Sequence, residues 1–295
     1  MSRFNLFTTL LTTLMMNSKS YSQDDFSYLK GAYLGQKPPG LTAEIFAPGI
    51  VNTKDNREIE GMFGADMTSF YFIRRPLSDK PKSNIMVEFK YKDNQWKKSN
   101  VIEGKSEASI SPDGMTIFFK NTSMQRSTEG WSAIKNLGAP FDDIDIMRLS
   151  ASSSGTYYFD TYTKNLDIPL RYSRLINGKY EQPKSLGPQF GIGKYNAHPF
   201  IAPDESYIIF DSRRKGGYGS SDLYICFRKA DGTWGPAINL GNKINTPDAE
   251  NYPSVSPDGN FLFFDKRSKN PVNGDKQEDI YWVDAQFIEN LRPKL

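Results

Sequence analysis

Cysteine and histidine occur once each in this chain of 295 residues, as Cys226 and His198. A single cysteine excludes an intrachain disulfide. A single histidine excludes the usual multi-histidine zinc and iron sites, and no metal is expected. Cys226 stands in Leu223-Tyr224-Ile225-Cys226-Phe227, an apolar, strand-like run with no basic neighbour to lower its pKa, so it reads as a packed thiol. No run is long enough to span a bilayer as a helix, so membrane insertion is not expected. Lys+Arg number 37 and Asp+Glu 34, without a polybasic block, which removes nucleic acid and anionic membrane surfaces from the expected partners. Gly216-Gly217-Tyr218-Gly219 enters a strand pattern rather than a helix, so it is a loop and not a phosphate cradle. No cofactor is expected.

What is present begins with a leader. Arg3 precedes a threonine-diluted apolar run over residues 6–16, and Ser20-Tyr21-Ser22 places small residues ahead of a cut before Gln23. Residues 1–22 therefore read as an export signal, whose removal takes away Arg3, Lys19 and no acid, lowering the formal charge from +3 to +1. No cysteine follows that run, which argues against a lipoprotein anchor. Export without a disulfide framework points to the periplasm of a Gram-negative bacterium or to secretion.

Aromatic residues make up 14% of the chain, with 23 glycines and 18 prolines, a composition suited to short strands and tight turns. Residues 252–264, Tyr-Pro-Ser-Val-Ser-Pro-Asp-Gly-Asn-Phe-Leu-Phe-Phe, read as two strands joined by a turn in which Pro fixes φ, Asp bonds nearby backbone and Gly accepts φ > 0. The unit recurs. With the turn Asp as origin, an aromatic follows six residues on: Asp66 and Phe72, Asp113 and Phe119, Asp204 and Phe210, Asp258 and Phe264, with Ser153 and Phe159 as a degenerate copy. After each hairpin comes a third strand and then a fourth marked by Trp or Leu-Gly, as in Asp222-Leu223-Tyr224 followed by Trp234 and Leu240-Gly241. In the second copy the polar stretch 121–130 suggests a missing or short third strand.

Four strands at intervals of roughly 40–50 residues predict an all-β fold, a β-propeller of five blades of four antiparallel strands, with six as the alternative count. The last copy stops after a third strand, and Thr42-Ala43-Glu44-Ile45-Phe46 precedes the first. The N-terminal strand is therefore expected to close the last blade, leaving no open edge. The layout is a leader (1–22), a lead-in (23–40) that wraps the outside or stays mobile, and a single propeller domain (41–295). Ser256-Pro257-Asp258-Gly259-Asn260-Phe261 and Phe210-Asp211-Ser212-Arg213 resemble the WD-repeat-like propeller repeat of the TolB type. That resemblance implies an exported bacterial propeller acting as a binding or interaction module. TolB itself has six blades, so its cellular role is not carried over.

Propeller ligands usually bind where the innermost strands open into the axial funnel. Six residues before the turn Asp the copies read Glu60, Glu107, Met147, His198 and Tyr252; two further back, Glu58, Lys105, Asp145, Asn196 and Glu250. Nine residues after it stand Arg75, Thr122, Tyr162, Arg213 and Arg267. Glu58, Glu60, Glu107, Asp145, His198, Glu250, Tyr252, Arg75, Arg213 and Arg267 are the ligand-binding candidates, at a mouth placed away from the turns. In an enzyme, Glu60 and Glu107 would be the acid and base or nucleophile on a glycosidic bond. The arginines could clamp a carboxylate or phosphate; the plainer expectation pairs Arg213 with Asp222 and Arg267 with Asp279. No catalytic motif is recognisable: there is no Gly-x-Ser-x-Gly elbow, and Asp258-Gly259 lacks the spacer of a sialidase Asp-box. A non-catalytic monomer binding a protein, peptide or glycan is therefore the first reading. A glycoside-cleaving propeller and a structural part of an envelope assembly are the alternatives.

Overall fold

Each turn of the repeat is held by its own side chains. Asp258 Oδ1 accepts hydrogen bonds from the Asn260 amide (3.1 Å) and the Ser256 hydroxyl (2.6 Å), and Gly259 adopts φ 75°. Asp113 accepts from the Met115 amide (2.9 Å) and the Ser111 hydroxyl (2.5 Å), and Asp66 and Asp204 accept from the amides two residues on. In the degenerate copy the hydroxyls of Ser152 and Ser154 donate instead to Glu205 of the next turn (2.8 and 2.7 Å). This substitutes an inter-blade contact for the missing Asp.

The computed structural model describes residues 29–77, 83–269 and 276–294. The expected leader over 1–22 lies outside the described residues. Five antiparallel blades follow in chain order. Blade 1 is Asn56–Phe63, Ser69–Pro76, Ile85–Lys92 and Gln95–Glu103. Blade 2 is Ala108–Ile110, Thr116–Phe119, Thr122–Ser127 and Lys135–Asn136, with Gly130–Trp131 also paired to its third strand. Blade 3 is Ile146–Ala151, Tyr157–Thr161, Arg171–Ser173 and Lys184–Ser185, carrying a small hairpin at Asn177-Gly178. Blade 4 is Lys194–Ile201, Tyr207–Arg213, Asp222–Phe227 and Ile238–Asn239. Blade 5 is Ala249–Val255, Phe261–Lys269 and Lys276–Asp284, completed by Glu44–Ile45 through Glu44 opposite Trp282 and Ile45 opposite Tyr281.

Blade 2 corrects one expectation. Its third strand exists as Thr122–Ser127, entered through a tight reversal at Lys120 (φ 57°). Its alternate residues face solvent, so polarity there marks an outer strand and not a missing one.

The core lies in five slabs, one between each pair of neighbouring blades. The slab between blades 5 and 1 is the most aromatic, gathering Phe46, Phe63, Phe70, Phe263 and Trp282. Leu29 and Leu34 are buried in it too, and Trp96 Nε1 donates to the Gly31 carbonyl (2.9 Å), so residues 29–34 pack against the closure. Cys226 is fully buried between blades 3 and 4, where burial pushes its thiol up to about 12. Closure is reinforced by Asn52, which donates to the carbonyls of Phe46 (2.5 Å) and Ile280 (3.0 Å) and accepts from the Ile280 amide (2.7 Å). Asn245 brackets Leu223 of blade 4 in the same way. The N-terminal strand thus ends in the same asparagine clamp as an ordinary fourth strand.

Candidate functional site

The innermost strands are not regular. In four blades the residue six before the turn carries positive φ: Glu60 (62°), Glu107 (63°), His198 (48°) and Tyr252 (55°). In blades 1, 4 and 5, as in blade 3, the strand pairing shifts register across this position. Such bulges re-aim side chains. Here they turn polar groups onto the propeller axis, where Glu60, Glu107, His198 and Tyr252 are all buried.

These residues form one network. Tyr252 Oη donates to Glu107 (3.0 Å), whose other carboxylate oxygen lies 3.7 Å from His198 Nε2. His198 Nδ1 pairs with Asp211 (2.6 Å), and its ring lies 3.9 Å from that of Tyr252 between centroids. Glu60 accepts from the Ala108 amide of blade 2 (2.6 Å), while Arg75 stands 3.8 Å from its other oxygen. Asp160 accepts from the amides of Met147 (3.2 Å), Arg148 (2.7 Å) and His198 (2.9 Å), tying blade 3 to blade 4. Asp265 accepts twice from the Glu60 amide (3.0 Å each), tying blade 5 to blade 1. The axis is thus closed midway by a plug in which most carboxylates brace one blade against the next.

Sequence reasoning missed Asp160, Asp211, Asp265 and Arg148. The signal for the three acids was legible, since each follows the repeat aromatic directly: Phe159-Asp160, Phe210-Asp211 and Phe264-Asp265. The remaining candidates are placed elsewhere. Glu58 is buried against Arg74 (2.9 Å) and Thr53, and Glu250 against Thr246. Asp145 is exposed. The two expected arginine pairs are corrected. Arg213 donates to the Ser220 carbonyl (2.7 Å) and stacks over Tyr195, while Asp222 is taken by the amides of Tyr218 and Gly219. Arg267 pairs with Glu278, the residue directly across the strand pair, and not with Asp279.

A cavity of about 330 Å³ opens on the axis beyond this plug. It lies at the end carrying the hairpin turns, opposite to the expected mouth. That volume is at the lower end of small-ligand sites. Its walls include Phe63, Ile110, Phe200 and Val255, and its rim carries prolines such as Pro112 and Pro257. Arg148 is the only charged side chain among its lining residues. Among the described residues no group of three or more Asp, Glu, His or Cys side chains is placed to hold a metal ion.

The buried acids and His198 make stability depend on pH in a definite direction. Burial, opposed by His198, pushes Glu107 up to about 7, and burial pushes Glu250 up to about 7. His198 is raised to about 9: burial opposes its charge, but Asp211, Glu107 and Asp160 outweigh that. For all three the folded state holds protons more tightly than the unfolded one, so their contribution is complete in acid. It is lost through about pH 7 for the carboxyls and about pH 9 for the imidazole. Glu205 acts oppositely, held down at about 2 by Ser154, Ser152, Tyr158 and Arg228 despite burial, so its contribution is lost only in strong acid. Thermal unfolding followed by circular dichroism is expected to give a midpoint near pH 5 several degrees above that at pH 9. A midpoint that rises steadily from pH 5 to 9 would contradict the charge assignment.

No protein-family model matches the sequence, and no curated protein matches it. Among solved structures, TolB from Acinetobacter baumannii is similar at 16% identity and a TM-score of 0.49, over 78% of this chain and 57% of that one. This chain therefore spans a little over half the length of that TolB. The catalytic domain of the Coprinopsis cinerea GH62 α-L-arabinofuranosidase is similar at 6% identity and a TM-score of 0.52, over 83% of this chain and 97% of that domain. A gluconolactonase from Xanthomonas campestris has 11% identity and a TM-score of 0.44, over 84% and 94% of the two chains. At such identities a likeness concerns the fold alone, and propeller folds carry many unrelated functions.

Proposed function

We propose that this protein is an exported, non-catalytic propeller that recognises a protein, peptide or glycan in the axial cavity at the turn end. The observation that carries this reading is the chemistry of the cavity wall. It has apolar, proline and serine surfaces, a single arginine and one phenol, Tyr207, whose pKa burial raises, with no carboxylate, imidazole or amine to serve as acid, base or nucleophile. Glu60 and Glu107, the residues a glycoside-cleaving enzyme would use, are buried in the plug with hydrogen bonds to the Ala108 amide and to Tyr252. The leader pattern over residues 1–22 supports a periplasmic or secreted location, and a mature charge of +1 supports a partner other than nucleic acid. We infer that it acts as a monomer and without membrane insertion; no helix among the described residues is long and apolar enough to cross a membrane.

The test is a peptide and glycan array probed with residues 23–295 and with the Ala65→Trp variant. Ala65 is exposed at the cavity rim, so the indole obstructs the opening without touching the core. Retention of a ligand by the natural protein, reduced at least about tenfold in the variant, is expected. Turnover of any glycan, abolished by Glu60→Gln or Glu107→Gln, would sink the non-catalytic reading.

A further inference from the structure

We propose that the axial cavity is a carboxylate-recognition site, seating the free C-terminus of an apolar peptide with Arg148 as its anchor; this rests on the funnel-binding reading above. Arg148 lines the deep end of the cavity, one residue beyond Met147 of the plug, and is only 2% exposed. Its Nε and Nη1 atoms have no hydrogen-bond partner. Among the described residues it takes part in none of the ion pairs. Its nearest aromatic partner is the face of Tyr252, 5.3 Å from the guanidinium carbon to the ring centre.

Glu107 and Asp265 feel its charge, but among the described residues no carboxylate pairs with it within ion-pair distance. Glu107 is bonded to Tyr252, Asp160 accepts three backbone amides, and Asp265 accepts the Glu60 amide. A guanidinium taken out of water with donors unused is costly. Its planar fork of N–H groups fits the two oxygens of a carboxylate. A ligand carboxylate entering from the turn end supplies the missing acceptors.

The walls favour a peptide over a sugar. A sugar needs a partner for each of its hydroxyls, but the deepest serines are already used in joining blades. Ser109 donates to the Leu149 carbonyl, Ser254 donates to the Gly61 carbonyl (2.6 Å), and Ser150 accepts from the Ile201 amide (3.1 Å). The prolines of the rim have no amide to offer. An apolar side chain next to a terminal carboxylate asks for little more than one anion anchor and greasy walls, and this cavity supplies both.

The experiment is calorimetric titration of residues 23–295 with acetyl-tripeptides ending in Ala, Val, Leu or Phe. Each is used as the free acid and as the C-terminal amide, with a uronic-acid disaccharide alongside. Free acids are expected to bind at least about tenfold more tightly than their amides, the usual weight of a charge-assisted hydrogen bond. Arg148→Gln is expected to bring the acids down to the level of the amides. Equal binding of acid and amide overturns carboxylate recognition while leaving a binding cavity. Binding of the disaccharide without the peptides overturns the peptide assignment. If nothing binds up to millimolar concentration, this proposal falls, while the funnel-binding reading stands or falls on the array. Should Arg148→Gln not fold, the comparison of acid with amide decides alone.

Discussion

Deleting residues 1–48, so that the chain begins at Gly49, is expected to abolish the folded monomer. The deletion removes Phe46, buried at the centre of the slab between blades 5 and 1, together with Leu29, Leu34 and Ala47. Truncating a single buried Phe costs about 3–5 kcal/mol and a Leu about 2–5 kcal/mol. Against a typical total stability of about 5–15 kcal/mol, losing the whole set leaves little or nothing. The ladder between Glu44–Ile45 and Lys276–Asp284 is lost as well, and the exposed edge invites pairing between chains. Size-exclusion chromatography and circular dichroism of the truncated protein check this. A folded monomer with an unchanged unfolding midpoint would mean that the propeller does not depend on its N-terminal closure.

Replacing Asp160 by Asn is expected to destabilise the protein almost as much as replacing it by Ala, by about 3–5 kcal/mol. The site presents three backbone N–H donors, two to Oδ1 and one to Oδ2. A carboxylate meets them with acceptors alone, whereas the amide of Asn must aim an NH2 at one of the donors. Whichever way the side chain turns, at least one buried N–H loses its partner and meets a donor instead. Chemical denaturation of Asp160→Asn, Asp160→Ala and the natural protein gives the comparison. If Asn behaved like Asp, the bracing role of the charge would be wrong.

Both predictions rest on parts of the chain that differ in how openly the sequence displays them. The blades are legible because every hairpin needs the same turn chemistry. Asp258-Gly259 and its counterparts, with an aromatic six residues on, mark the strands that bury against a neighbour. Closure is legible because a fourth strand is missing at one end and a spare one stands at the other. The plug is only half legible. Glu60, Glu107, His198 and Tyr252 fall at one repeat position and do meet on the axis, but nothing in a Glu or Tyr codon announces a left-handed backbone. That bulge separates side chains that simple alternation would place together, which is why Glu58 and Glu250 end in buried threonine clamps away from the plug. Arg148 is the least legible of all. It stands in the copy whose turn has lost its Asp, and it has no counterpart in the other blades. Repeat logic therefore has no means of singling it out.

The central claim is that recognition happens at the turn end of the axis without chemistry. The most direct measurement is amide hydrogen exchange on residues 23–295, with and without a ligand taken from the array, together with mass analysis of that ligand. The account predicts slowed exchange in segments 62–65, 109–112, 148–153, 199–203 and 253–257, with the ligand recovered intact. Slowed exchange around Arg75, Arg213 and Arg267 at the opposite mouth, or a ligand recovered cleaved, would contradict it.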